Sequence, residues 1–354
     1  MSAEQVALAH YRRRRHLAER LAEVARRMWR RVDPGDIARS WAGQVAELAA
    51  VVTAAQLAAA LTADGYLDEV LDAQGVNPAR DAAVAPAALA GVASDGRPLE
   101  SLLFQPAIGT LAAIGAGADV GRALAGGYAV LDMAVRTQAA DAGRVADQVA
   151  LAARRQATGY RRMVVGRTCG RCVVLAGRWY RYNQGFDRHP RCDCVHVPCR
   201  EDTADAVATT PRAWFDSLDR AEQDKQFTRA GAEAIRLGAD IGQVVNARRG
   251  AFGLTPAGAR ITADEARMLR NGRDVGRLQT QNVFGRELFT TTEGVTTRGQ
   301  AGVRLGARER GVKVEGARYT SARVPRLMPE SILQIAGNDR TEALRLLRRF
   351  GYIN

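Results

Sequence analysis

The stretch Cys169–Cys199, CGRCVVLAGRWYRYNQGFDRHPRCDCVHVPC, holds all five cysteines of a 354-residue chain and two of its four histidines. Cys169 and Cys172 form a C-x2-C knuckle, and His189, Cys192 and Cys194 follow after a sixteen-residue gap. A tetrahedral structural zinc site needs four thiolate or imidazole ligands, most often delivered as two close pairs separated by a loop. The spacing therefore predicts Zn2+ in a small lobe over 166–200, with its four ligands drawn from Cys169, Cys172, His189, Cys192 and Cys194. His196 and Cys199 compete for the same positions, so the ligand set stays open. Trp179, Tyr180, Tyr182 and Phe186 give the intervening loop apolar bulk of its own. Three other readings remain: disulfides formed in an oxidising compartment, unligated thiols packed as small hydrophobes, and a cysteine nucleophile served by His189 or His196. Five thiols crowded together suit a metal better than a single activated nucleophile.

Outward from this stretch the chain reads as mostly helical. Towards the N-terminus, Leu124, Tyr128, Leu131, Val135, Val145, Val149 and Leu151 recur at helical spacing over about 122–162, predicting one or two long helices that lead straight into the cysteines. The segment 81–98, rich in Ala, Gly and Pro without a stable period, predicts a loop. Leu17, Leu21, Val24 and Met28 mark an amphipathic helix, and Ile37, Trp41, Val45, Leu48 and Val52 a second one beyond the break at VDPGD (32–36). Towards the C-terminus two helices are expected over 209–250, Pro211 opening the first. Residues 249–326 replace apolar periodicity with Arg, Gly and Thr and read as an extended arm. Pro329, the Asp339/Glu342 pair and Gly351 then frame a short helical hairpin. The expected fold is mainly α: a helical N-terminal domain (1–97), a long-helix central domain (98–248) bearing the Cys/His lobe, the arm (249–326) and the hairpin (327–354).

Composition bounds the function. Basic residues outnumber acidic ones 51 to 38, and only Lys225 and Lys313 are lysines, so the positive charge is almost wholly guanidinium. Genome composition alone can inflate arginine in this way; where the charge falls is more telling. Residues 1–31 carry nine Arg against three Glu, and 245–326 carry sixteen Arg or Lys against seven acids. Arg12, Arg13, Arg14, Arg15, Arg26, Arg27, Arg30 and Arg31 on the first helix are the candidate contacts to nucleic-acid phosphate, a sequence-independent interaction that weakens steeply with salt; a solvated or protein-docking face is the alternative. The N-terminus lacks the apolar core of a secretory signal, and the longest uncharged run, 101–118, is interrupted by Gln105, Pro106 and glycines. A soluble, cytosolic protein is expected.

The pattern RTCGRCVVLAGRWYRYNQGFDRHPRCDC, with its C-x2-C, aromatic loop and His-Pro-x-Cys-x-Cys, resembles the MuF-type head morphogenesis or minor capsid proteins of tailed bacteriophages. The likeness covers about 122–248, and the ending RLMPESILQIAGNDRTEALRLLRRFGYI is similar to the C-termini of such proteins from phages of actinobacterial hosts; the first hundred residues carry none. The resemblance implies a minor capsid protein inside the head near the portal vertex, present in host cytoplasm during assembly. It implies partners in the portal protein and the major capsid protein or scaffold, with packaged DNA touched through phosphate and no membrane in the assembled head. Some relatives are capsid maturation proteases, which makes a protease the alternative. The sequence has no G-x-S-x-G elbow, H-E-x-x-H helix or Walker A loop, and the expectation is a structural protein rather than an enzyme.

Overall fold

The computed structural model describes residues 1–165, 170–184, 194–202, 210–250, 253–254, 278–283, 285–294, 312–313 and 320–353. It is mainly helical, and it divides into two units: Met1–Val165 with Arg178–Ala208, and Gly166–Gly177 with Thr209–Asn354.

In the first unit, α1 (Ala3–Trp29) opens with a capping box in which Ser2 and Gln5 satisfy each other's backbone donors. It is followed by α2 (Ile37–Leu61), α3 (Ala63–Asp72), α4 (Leu99–Gly115) and α5 (Val120–Ala152). The Asp36 and Asp119 side chains cap α2 and α5. Trp29, Trp41, Leu48, Val52, Leu103 and Leu131 belong to one buried cluster built from α1, α2, α4 and α5. The two indoles meet edge to face, 4.8 Å between centroids, and each N–H donates to a backbone carbonyl, Trp29 to Leu124 and Trp41 to Leu103. Because α4 and α5 complete the core of α1 and α2, the expected boundary at 97/98 falls inside a single unit.

A second cluster joins the start of α1, α3 and the end of α5 to a sheet. That sheet is formed by β1 (Gly159–Val164), β2 (Trp179–Arg181) and β3 (Cys194–Cys199), antiparallel in the order β2-β1-β3. The expected helical stalk therefore ends at Ala152, and a strand precedes the cysteines. The packing face of α5 also differs from the one its large residues suggest. Val145 and Val149 are 47% and 43% exposed, while Ala142, Ala146 and Ala150 face inward. Small residues let helices approach closely: a methyl group at Gly127 would stand 2.6 Å from the Trp29 ring and 2.1 Å from Thr110 Oγ1, and one at Gly143 2.8 Å from the Arg14 guanidinium carbon. These neighbours show α1 and α5 running antiparallel.

Ile37–Asp72, spanning α2 and α3, contains an 18-residue window of mean hydropathy 1.7 and is long and apolar enough to cross a membrane by length and composition. Its large side chains, Trp41, Leu48, Val52, Tyr66 and Leu67, are core residues of the unit.

In the second unit, α6 (Gly170–Val174) is joined by four short helices, α7 (Pro211–Asp216), α8 (Arg220–Phe227), α9 (Arg229–Arg236) and α10 (Ile241–Ala247), where two were expected. The break between α8 and α9 is Thr228, held at φ 64° while its hydroxyl caps α9. Within 249–326, expected as an extended arm, the described residues are mostly paired strands. β4 (Arg249–Gly250) and β5 (Gly253–Leu254) pair with each other, and β6 (Leu278–Val283), β7 (Arg286–Glu293), β8 (Val312–Lys313) and β9 (Thr320–Leu327) form an antiparallel sheet in the order β6-β7-β9-β8. The hairpin of α11 (Pro329–Ala336) and α12 (Arg340–Arg349) follows as its sequence predicts, with Pro329 in the first turn of α11, Asp339 capping α12 and Gly351 at φ 73° beyond it. Arg326 ties this end together, its guanidinium 4.7 Å from the Tyr352 ring centroid and donating to the carbonyls of Phe350, Gly351, Glu293 and Gly294.

Candidate functional site

The predicted metal ligands divide into described and undescribed positions. Cys169, His189 and Cys192 lie outside the described residues. Cys172, on α6 in the second unit, is buried. Cys194 opens β3 in the first unit, where its sulfur accepts from Arg162 Nε at 3.2 Å and Nη2 at 3.0 Å. Arg162 pairs with His196 across the strands, so its guanidinium reaches along the sheet to a residue two positions away. Paired N–H donors of this kind are the outer partners that orient a metal-bound sulfur. Cys199, at the other end of β3, is fully buried; burial pushes its thiol up to about 11, so it stays protonated at neutral pH and makes a poor ligand. Among the described residues no group of three or more His, Cys, Asp or Glu side chains is arranged to hold a metal ion.

Most of the predicted phosphate contacts are exposed. Arg12, Arg13, Arg15, Arg26 and Arg27 are exposed on α1, and Arg30 and Arg31 follow its last turn. Two of them pair on the helix surface, Arg15 with Glu19 at 2.9 Å and Arg26 with Glu23 at 3.6 Å; such exposed pairs contribute little and yield readily to a competing anion. Arg14 is different. Its side chain is only 12% exposed and makes two hydrogen bonds to Asp147 on α5, at 2.5 and 2.9 Å, with further bonds to Thr62 Oγ1 and the Ala59 carbonyl. It joins three helices and is not available to phosphate, because the Asp147 carboxylate already occupies the fork that a phosphate would take.

Asp147 sits at the centre of a polar layer between the two apolar clusters. Burial alone would raise its pKa, but the adjacent charge of Arg14 overrides this and holds the carboxyl at about 2. His10 stacks on Tyr66, 3.8 Å between ring centroids and nearly parallel, and its Nε2 stands 3.5 Å from Asp147 Oδ1, beyond good hydrogen-bonding distance. Burial lowers the His10 pKa, keeping the ring neutral at pH 7. Tyr66 in turn donates to the His196 carbonyl at 2.5 Å, and His196 stacks on Tyr160. A cavity of about 420 Å³ opens over this layer, lined from α1 by Arg14 and Arg15 and from α5 by Arg136 and Arg144. Neither α5 arginine stood out in the sequence. Each is preceded by an acid at helical spacing, Asp132 and Asp141, which reads as ordinary surface pairing.

A family model described as VG15 protein matches residues 1–221, more than half of the chain and all of the first unit. The chain belongs to the VG15 protein family and is a phage-type viral protein. The match takes in the first hundred residues, where no family resemblance had been visible, as well as the whole cysteine stretch. No curated protein and no solved structure matches the chain.

Proposed function

We propose that this protein is a minor component of the phage head, of MuF-like type, acting at the portal vertex in head assembly and in packaging or delivery of the genome. Its role in this reading is structural, without a reaction of its own. Its partners are the portal protein, the major capsid protein or scaffold, and the phosphates of packaged DNA. The observation that carries the proposal is the row of exposed guanidinium groups on α1, borne by the helical unit of a phage-type family. Densely packed DNA presents a continuous phosphate surface, which arginines on a helix meet without reading sequence.

A structural Zn2+ belongs to the same reading, held by four of Cys169, Cys172, His189, Cys192 and Cys194. What supports this reading is the pair of Arg162 N–H donors on the Cys194 sulfur, the kind of outer partner a metal-bound thiolate carries. The metal would supply folding free energy to a lobe too small to build a large core.

The test is binding to duplex DNA across a salt series, together with co-purification with the portal oligomer. The expected result is affinity that falls steeply between about 50 and 200 mM salt and a flatter slope when Arg12, Arg13, Arg30 and Arg31 are changed to Gln. Affinity independent of salt, combined with no portal complex, would overturn the proposal.

A further inference from the structure

We infer that the cavity between α1 and α5 is a phosphate-binding site, which shares Arg15 with the exposed arginine row of α1 and draws its other free donors from α5. The argument begins with its donors. Among the described residues, four guanidinium groups line the cavity against three carboxylates, Glu19, Asp132 and Asp147. The Arg14–Asp147 pair is closed on itself, since Arg14 also bonds Thr62 and Ala59. The other three arginines are not saturated. Among the described residues Arg136 gives only its Nε to Asp132 and Arg144 only one Nη to Asp141, while Arg15 gives its Nε to Glu19 and also bonds Tyr11. A guanidinium has five N–H donors, so each keeps several for a further acceptor.

The second observation is independent of the arginines. His10 lines the same cavity at 1% exposure, and neither of its ring nitrogens has a hydrogen-bond partner among the described residues, which leaves the single N–H of the neutral ring to donate. A buried ring nitrogen left unsatisfied costs free energy unless something outside the chain completes it. Arg136 and Arg144 are themselves only 34% and 19% exposed, so an anion there would be screened less by salt than one on the outer face of α1. Planar forks from two helices around one space suit a tetrahedral oxyanion with several acceptor oxygens. A space of about 420 Å³ admits a phosphate or a phosphomonoester.

The experiment titrates inorganic phosphate into the full-length protein at constant ionic strength, with sodium chloride as the balancing salt, and follows binding by calorimetry. Arg136→Gln and Arg144→Gln are compared with Arg39→Gln, which removes an exposed charge of α2 that belongs neither to the cavity nor to the arginine row of α1; circular dichroism confirms that each variant is folded. Saturable binding is expected in the wild type and in Arg39→Gln, weakened about tenfold in each cavity variant. A short DNA duplex as competitor separates the two sources. Displacement of phosphate assigns the site to a nucleic-acid backbone, and simultaneous binding assigns it to a free phosphate or phosphomonoester. Absence of saturable binding, or equal weakening by Arg39→Gln, overturns the inference. Because the cavity variants leave Arg12, Arg13, Arg30 and Arg31 in place, failure here leaves the DNA reading of α1 standing or falling separately.

Discussion

Replacing Asp147 tests the polar layer of the first unit most sharply. With its carboxyl held at about 2 in the fold against about 3.9 for an unperturbed aspartate, the group contributes about 2 kcal/mol at neutral pH, at 1.36 kcal/mol per pH unit. The folded value is the lower one, so this contribution is fully present above about pH 4 and is lost as pH falls towards 2. Truncation costs more than protonation. Asp147→Ala leaves the Arg14 guanidinium buried without its charge partner, for a loss of roughly 3–5 kcal/mol. The assay is urea unfolding followed by tryptophan fluorescence, which Trp29 and Trp41 report from the adjoining core. The gap between wild type and Asp147→Ala should be several kcal/mol at pH 7 and shrink by about 2 kcal/mol as pH is taken from 5 to 2. The double change Arg14→Met with Asp147→Leu should recover most of the loss, since an apolar pair can replace a buried ion pair. A loss below about 1 kcal/mol for Asp147→Ala, or a gap that does not change with pH, would refute the reasoning.

Three further outcomes follow from particular contacts. His10, its pKa lowered by burial, binds a proton more readily unfolded than folded; stability should therefore fall as pH drops below 6.5, and His10→Phe should remove that component of the pH profile. Gly127→Ala forces a methyl group into Thr110 and the Trp29 ring and should cost about 1–3 kcal/mol in thermal or chemical unfolding, whereas Gly126→Ala beside it, with open space at its Cβ, should be neutral or slightly stabilising. The zinc proposal predicts about one equivalent of metal in freshly purified, reduced protein, lost on Cys169→Ser or Cys194→Ser together with protease protection of 166–200; unchanged metal content in both variants would contradict it.

The helices were legible where size and period agree. Ile37, Trp41, Val45, Leu48 and Val52 marked α2 because a bundle that buries Trp and Leu leaves a 3.6-residue signature. The same logic misplaced the far end of α5, where alanines pack inward and Val145 and Val149 point out: close helix contact selects small residues, and hydrophobicity alone then picks the wrong face. The sheet of the first unit was hidden by Arg161 and Arg162, which look like a solvated pair although Arg162 is buried against Cys194. In the second unit the Thr- and Arg-rich strands β7 and β9 carry no apolar alternation, and Arg326 is buried through carbonyl and ring contacts that no spacing rule anticipates. Of the candidate site, the exposed arginine row was readable as charge on one helix. The cavity was not, because it needs α5 laid antiparallel on α1, and that pairing is set by Gly127 and Gly143, residues whose function is to be absent side chains. Arg14 was indistinguishable from its neighbours in RRRR (12–15) until Asp147 stood opposite it.

The proposed place of this protein is best tested in the particle itself. Quantitative mass spectrometry of purified virions, with heads and tails separated, should find the chain in the head fraction at few copies per portal. Its absence from both mature particles and assembling heads, while it accumulates in the infected cell, would contradict the account.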